Sequence, residues 1–188
     1  MAQYNIIAEN ENYTIVSDYQ SAYRTSEKYQ TEAQLEQELI KNLTEQGYEY
    51  LAIHTEKDLV DNLRVQLQRL NDYTFTDSEW ERFFNDVIAN QNEGIEAKTA
   101  KIQEDHIQVL KRDTGETKNI YLIDKKNIHN NYLQVINQYE EEQGNHDTRY
   151  DVSILVNGLP LVHIELKRRG VRLKEAFNQI DRYQRDSF

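Results

Sequence analysis

Two runs of alternating apolar and polar residues, Arg149 to Val156 and Leu159 to Lys167, meet at Asn157-Gly158. Side chains alternate along a strand, so Val152, Ile154 and Val156 point one way and Asp151, Ser153 and Leu155 the other. In the second run Val162, Ile164 and Leu166 share one face, and Leu161, His163, Glu165 and Lys167 share the opposite one. Asn-Gly between two such runs predicts a β-hairpin. The Ile-Leu-Val and Leu-Val-His-Ile centres read as central strands covered on both faces.

Upstream the period is helical. Leu35, Leu39 and Leu43 recur at helix spacing from Thr31, and Gly47 fits a stop just past the end. Lys57 to Leu70 is a second helix, with Leu59, Leu63, Leu67 and Leu70 on one side. Thr76 or Asp77 caps a third, Ser78 to Ala89, which buries Trp80, Phe83, Phe84 and Val87. Asn90 to Gly94 reads as a loop. From Ile107 the period becomes two: Ile107 to Lys111, a turn at Asp113-Thr114-Gly115, and Asn119 to Ile123 predict another hairpin. Tyr132 to Tyr139 alternates as a further strand. The last element is a helix from Arg172 to Arg185, buried through Leu173, Ala176, Phe177 and Ile180. Arg172, Gln179 and Tyr183 form a row beside that stripe. Residues 1–30 are polar and Tyr-rich, with a weak strand near Tyr13 to Val16. The expected division is an extended N-terminal segment, 1–30, and one α/β domain, 31–188. The chain stops just after a strong amphipathic helix, which fits a piece of something longer.

Register decides whether the last hairpin carries chemistry. A two-residue loop with Val156 opposite Leu159 pairs Asp151 with Ile164 and turns the carboxylates apart. A three-residue loop, Asn157-Gly158-Leu159, pairs Val156 with Pro160 and sets Asp151 opposite Glu165. Opposed residues lie about 5 Å apart on one face. Gly158 supplies the positive φ such loops need, and Pro160, lacking an N–H, suits a strand start or a bulge. The second register is the expected one. It makes Asp151 and Glu165 a candidate divalent-metal site, with Lys167 one step along the same face. The bland alternative is a hairpin with solvated charges.

Composition narrows the class. The 188 residues carry a net charge of −11, with 38% hydrophobic and 29% charged residues, as in a globular domain. There is no cysteine, so disulfides and thiolate metal sites are excluded. No long apolar run and no signal-peptide pattern occur, so no membrane is expected and a cytoplasmic location is the default. The negative charge argues against a free-standing nucleic-acid binder. It is uneven, however: Lys167, Arg168, Arg169, Arg172, Lys174, Arg182 and Arg185 crowd the end, opposed there by Glu175 and Asp181. DNA, if it is the partner, meets that end. No G-x-x-x-x-G-K-[ST] is present, so the chain carries no ATP-binding P-loop.

One acid is out of place. Glu32 falls within the apolar face of the first helix, and Glu36 lies at its edge. An unpaired carboxylate on a core-facing stripe is costly. Either Glu32 complements the helix dipole in the first turn, or it reaches toward the metal site; pattern alone leaves both open.

The run RYDVSILVNGLPLVHIELKRRG, followed by EAFNQIDRY, closely resembles the N-terminal nuclease domain of the restriction (R, or HsdR) subunit of type I restriction-modification enzymes, nearest the type IC branch. The segments TEAQLEQELIKNLTEQGYEYL, DSEW and NIYLIDKKN resemble it too. The resemblance implies the PD-(D/E)xK fold, a mixed sheet flanked by helices, and Mg²⁺-dependent hydrolysis of unmodified double-stranded DNA. By motif position it makes Asp151 and Glu165 metal ligands with the Leu166 carbonyl, and Lys167 the catalytic lysine. The helix acid falls on Glu32, with Glu36 the alternative. The Q-x-x-x-Y element falls on Gln179 and Tyr183, and Arg168, Arg169, Arg172 and Arg182 become phosphate contacts. Tyr150-Asp151 stands where the family has Pro-Asp. The implied partners are DNA and the methylation and specificity subunits, with ATP used only by motor domains this chain lacks. A catalytically silent DNA-holding or subunit-docking module is the competing expectation.

Overall fold

The computed structural model describes residues 5–9, 15–18, 30–141 and 148–168, and helical positions 174, 175, 177, 178 and 180. A four-stranded sheet organises them, in the order β3 (Glu49–Tyr50), β6 (Leu133–Glu141), β7 (Thr148–Val156), β8 (Leu159–Ile164). β3 runs parallel to β6, and the other pairings are antiparallel. The mixed sheet flanked by helices is thus present. Two antiparallel pairs stand apart from it: β1 (Asn5–Glu9) with β2 (Ile15–Asp18), and β4 (Ile107–Lys111) with β5 (Thr117–Tyr121). The second of these is the hairpin expected there, its return strand placed two residues early. In the first, β2 overlaps the weak strand expected near Tyr13 to Val16.

Helix α1 (Glu32–Glu45) starts where Thr31 and Gln34 form a capping box, and ends before Gly47 at φ 96. Its Leu39, Ile40 and Leu43 pack on Val135, Val152, Ile154, Ile164 and Leu166. Helix α2 (Glu56–Asn71), capped by Thr55, covers other sheet residues: Leu59 packs with Ile53, Ile136, Tyr139, Tyr150 and Leu155. The sheet is therefore a filled layer between helices, as each one-faced element requires.

A second core lies beside it. α3 (Asp77–Phe83) continues as a π-helical turn, Phe84–Ile88, and buries Trp80 and Phe83 against Phe75, Leu63, Leu67, Leu110, Ile120, Leu122 and Leu159. The expected single helix to Ala89 thus changes geometry at Phe84. Glu79 is buried here, 2% exposed. Its carboxylate accepts from Tyr73 Oη at 2.7 Å and from the Thr76 and Asp113 amides, both at 3.1 Å. Burial alone would raise its pKa; these hydrogen bonds outweigh it and hold the group below its usual range. Helix α4 (Ile95–Gln103) buries no residue, so no apolar stripe marked it in the sequence.

The β7–β8 hairpin corrects the expected loop. The turn has two residues, with Val156 paired to Leu159; Asn157 and Gly158 have φ 53 and 82, the left-handed pair a tight hairpin turn needs. Packing fixes it. Asn157 is fully buried, donating to the Leu122 carbonyl and Asn131 Oδ1 and accepting the Tyr132 amide. A Cβ on Gly158 would lie 2.6 Å from Leu63 Cα. The missing register step is supplied farther along. Leu155 pairs with Pro160 but Ile154 with Val162, so Leu161 is a bulge residue. Pro160 has no N–H for the ladder, which favours a bulge beside it. β8 is the outer strand of the described sheet, with Leu161 40% and Val162 44% exposed, not a strand covered on both faces.

Candidate active site

The bulge restores the alignment that a three-residue loop would have given. Ser153 pairs with His163 and Val152 with Ile164, so the next step brings Asp151 level with Glu165 where the ladder ends. The Leu166 amide donates to Asp151 Oδ2 at 2.8 Å, tying the carboxylate to the chain leaving β8. Glu165 is nearly enclosed, its side chain 4% exposed, and Lys167 Nζ donates to its Oε1 at 2.5 Å.

The electrostatics follow from this packing. Burial pushes the Glu165 carboxyl above its usual range; the Lys167 ammonium opposes that, and the Asp151 charge and a hydrogen bond with it add to it. Burial alone would lower the Lys167 pKa, but the bond to Glu165 and the charges of Glu165, Glu32 and Asp151 raise it. Lys167 is held as a cation among acids.

Glu32 stands at the margin, exposed, its Oε1 3.3 Å from the Arg168 amide. Glu36 is turned to β6, accepting Asn137 Nδ2 on Oε1 and Gln138 Nε2 on Oε2. Of the two helix acids, Glu32 is the one near Lys167. Arg168 is exposed. Gln179, Tyr183, Arg169, Arg172 and Arg182 lie outside the described residues.

His163 stacks on Tyr150, ring centroids 3.9 Å apart, and its Nδ1 lies 2.7 Å from Ser153 Oγ. The residue as a whole is exposed, but desolvation of its ring lowers its pKa. It braces the hairpin beside Glu165.

Among the described residues no group of three or more His, Cys, Asp or Glu is spaced to hold an ion. The donor set at the ladder's end is the Asp151 and Glu165 carboxylates. A divalent cation there would relieve the mutual repulsion that helps raise Glu165. Oxygen donors of this kind suit a hard cation that keeps several waters. The residues fit such an ion.

One feature of the site had no sequence signal. Gln138, level with Asp151 on β6, has φ 52. A glutamine in an alternating run gives no hint of left-handed backbone.

The sequence profile described as the type I restriction enzyme R protein N terminus matches residues 29–188. The type I restriction enzyme EcoprrI endonuclease subunit of Escherichia coli is 48% identical over 183 residues, covering 97% of this chain and 58% of that protein. The SsaAORF53P endonuclease subunit of Staphylococcus saprophyticus and the SauCOLORF180P endonuclease subunit of Staphylococcus aureus are each 38% identical, over 165 and 167 residues. Each match covers 85% of this chain but 17% of the relative. The chain thus spans a little over half the length of the first relative and about a sixth of the other two. No helix among the described residues is long and apolar enough to cross a membrane.

Proposed function

The chain belongs to the family of type I restriction enzyme R protein N-terminal regions, and from that premise we propose that it is the DNA-cleaving domain of a restriction subunit, hydrolysing phosphodiester bonds in unmodified double-stranded DNA with Mg²⁺. The observation carrying this reading is the bulged register that brings Asp151 level with Glu165, with Lys167 bonded to Glu165.

Asp151, Glu165 and the Leu166 carbonyl would hold the ion, with Glu32 close by. Bound there, Mg²⁺ would polarise a phosphoryl oxygen and lower the pKa of a coordinated water. The chain's own groups do the rest. The Leu166 amide fixes Asp151 Oδ2. Lys167, kept charged by its acidic neighbours, offsets negative charge building on the phosphate as a water oxygen bonds to phosphorus and an ester P–O bond breaks. Gln179 and Tyr183 are proposed to steady the lysine or the DNA backbone. Arg168, Arg169, Arg172 and Arg182 are proposed phosphate contacts; such contacts position DNA without reading bases. Sequence choice would then rest with the specificity subunit, methylation sensing with the methylation subunit, and ATP use with motor domains elsewhere in the longer subunit.

The competing reading, a silent DNA-holding or docking module, draws on the same Lys167–Glu165 contact, which occupies a carboxylate oxygen an ion would need. Cleavage by the complete enzyme separates them. With Asp151→Ala in the R subunit, cleavage should fall on the order of 10³-fold, the loss of several kcal/mol of metal-assisted stabilisation, while the enzyme still assembles. Cleavage at the parental rate would refute the assignment.

A further inference from the structure

We propose that Glu36 is a positioning residue for Asp151: it grips strand β6 where Gln138 turns left-handed across from that carboxylate. The inference rests on reading Asp151 and Glu165 as the metal-binding pair.

The ladder between β6 and β7 keeps one register on both sides of this point, with Asn137 paired to Val152 and Tyr139 to Tyr150. Gln138 and Asp151 are therefore level, with no residue inserted, yet they form no ladder pair. Gln138 has φ 52, a region L side chains enter only at a cost. The two strands are rotated locally as a result. Ile136 and Tyr139, three residues apart, pack in one apolar cluster, as do Tyr150 and Leu155, five apart. Strict alternation would put each pair on opposite faces. Asp151 sits inside this rotated step, so the step sets where its carboxylate points.

Glu36 supplies the grip. Its Oε1 accepts Asn137 Nδ2 at 2.5 Å and its Oε2 accepts Gln138 Nε2 at 2.6 Å. Asn137 Oδ1 in turn accepts Tyr50 Oη at 2.9 Å. One carboxylate thus clamps two consecutive amides with charge-assisted bonds. Both its oxygens are engaged by β6, so Glu36 acts through Gln138 and not on substrate. With Glu32 on the Arg168 amide one helical turn away, α1 holds the chain on both sides of the acidic pair.

The test begins with Glu36→Gln, which keeps the volume but sets an NH₂ against the strand's amide donors. The Leu166 amide, bonded to Asp151, should exchange with deuterium about tenfold faster, and Mn²⁺ affinity should fall about tenfold, while the thermal midpoint moves by no more than about 5 °C. A second comparison covers a Glu36 variant that does not fold. Gln138→Gly should bind Mn²⁺ more tightly than Gln138→Ala, because glycine adopts φ 52 freely; in an ordinary strand glycine is the worse choice. Parental Leu166 exchange and Mn²⁺ affinity in Glu36→Gln, or indistinguishable Gly and Ala variants at 138, would overturn the proposal. If the parent itself binds no Mn²⁺, the metal reading fails, and Leu166 exchange then decides alone whether Glu36 holds Asp151.

Discussion

The Leu166 amide donates to Asp151 Oδ2 at 2.8 Å, joining a strand interior to the chain that carries Glu165 and Lys167. The bond orients a carboxylate that no salt bridge reaches among the described residues. Asp151→Asn keeps an acceptor oxygen for this amide and removes the charge. The fold should survive, with a thermal midpoint within about 5 °C of the parent, while Mn²⁺ affinity drops at least about tenfold. Calorimetry and a melting curve on the same sample check both halves.

The role proposed for Lys167 is separable from ion binding. It is the cation bonded to Glu165. Lys167→Met removes a competitor for that oxygen, so Mn²⁺ should bind no more weakly than to the parent. Cleavage by the complete enzyme should still fall on the order of 10³-fold, because the charge proposed to face the phosphate is gone. Paired Mn²⁺ titration and cleavage assays test this; joint loss of binding and cleavage would make Lys167 structural.

Gly158 holds the hairpin's entry. A Cβ there would meet Leu63 Cα at 2.6 Å, and φ is 82. Gly158→Ala combines backbone strain with overpacking, and should cost at least about 2 kcal/mol of unfolding free energy, read from a denaturant titration. A loss under about 0.5 kcal/mol, the range of ordinary surface changes, would show that the turn relaxes without affecting α2.

Glu79 makes stability depend on acid. Its folded pKa is depressed, so its contribution is present above the unfolded value of about 4.3 and is lost as pH falls through the folded value. Asp113, held at about 2 by the Thr76 and Ser78 hydroxyls and Arg82, acts in the same direction. The thermal midpoint should decline from about pH 5 downward. Glu79→Gln should flatten that decline and lower the midpoint at neutral pH, since a buried amide cannot accept all three donors. Identical pH profiles for parent and variant would exclude Glu79 as the source.

The sequence was readable where one physical signal sufficed. Leu35, Leu39 and Leu43 marked α1, and alternation about Asn157-Gly158 marked the hairpin that bears Asp151 and Glu165. The alignment of those acids was anticipated through a different device, because the extra residue sits at Leu161 and not in the turn. That choice depends on Leu63 and Asn131 packing against the turn, contacts distant in sequence. Helix α4 escaped notice because none of its residues is fully buried, Ile102 packing only in part on the second core. β3 is too short to show a period. The left-handed Gln138 is held by Glu36, about a hundred residues away, and no local propensity announces it.

Titration of Mn²⁺ into the protein and into its Asp151→Ala variant tests the metal-binding role proposed for Asp151. Saturable binding to the parent is expected, with its loss, by at least about tenfold in affinity, in a variant that still melts cooperatively. Equal binding by the two, or none by the parent, would contradict that role.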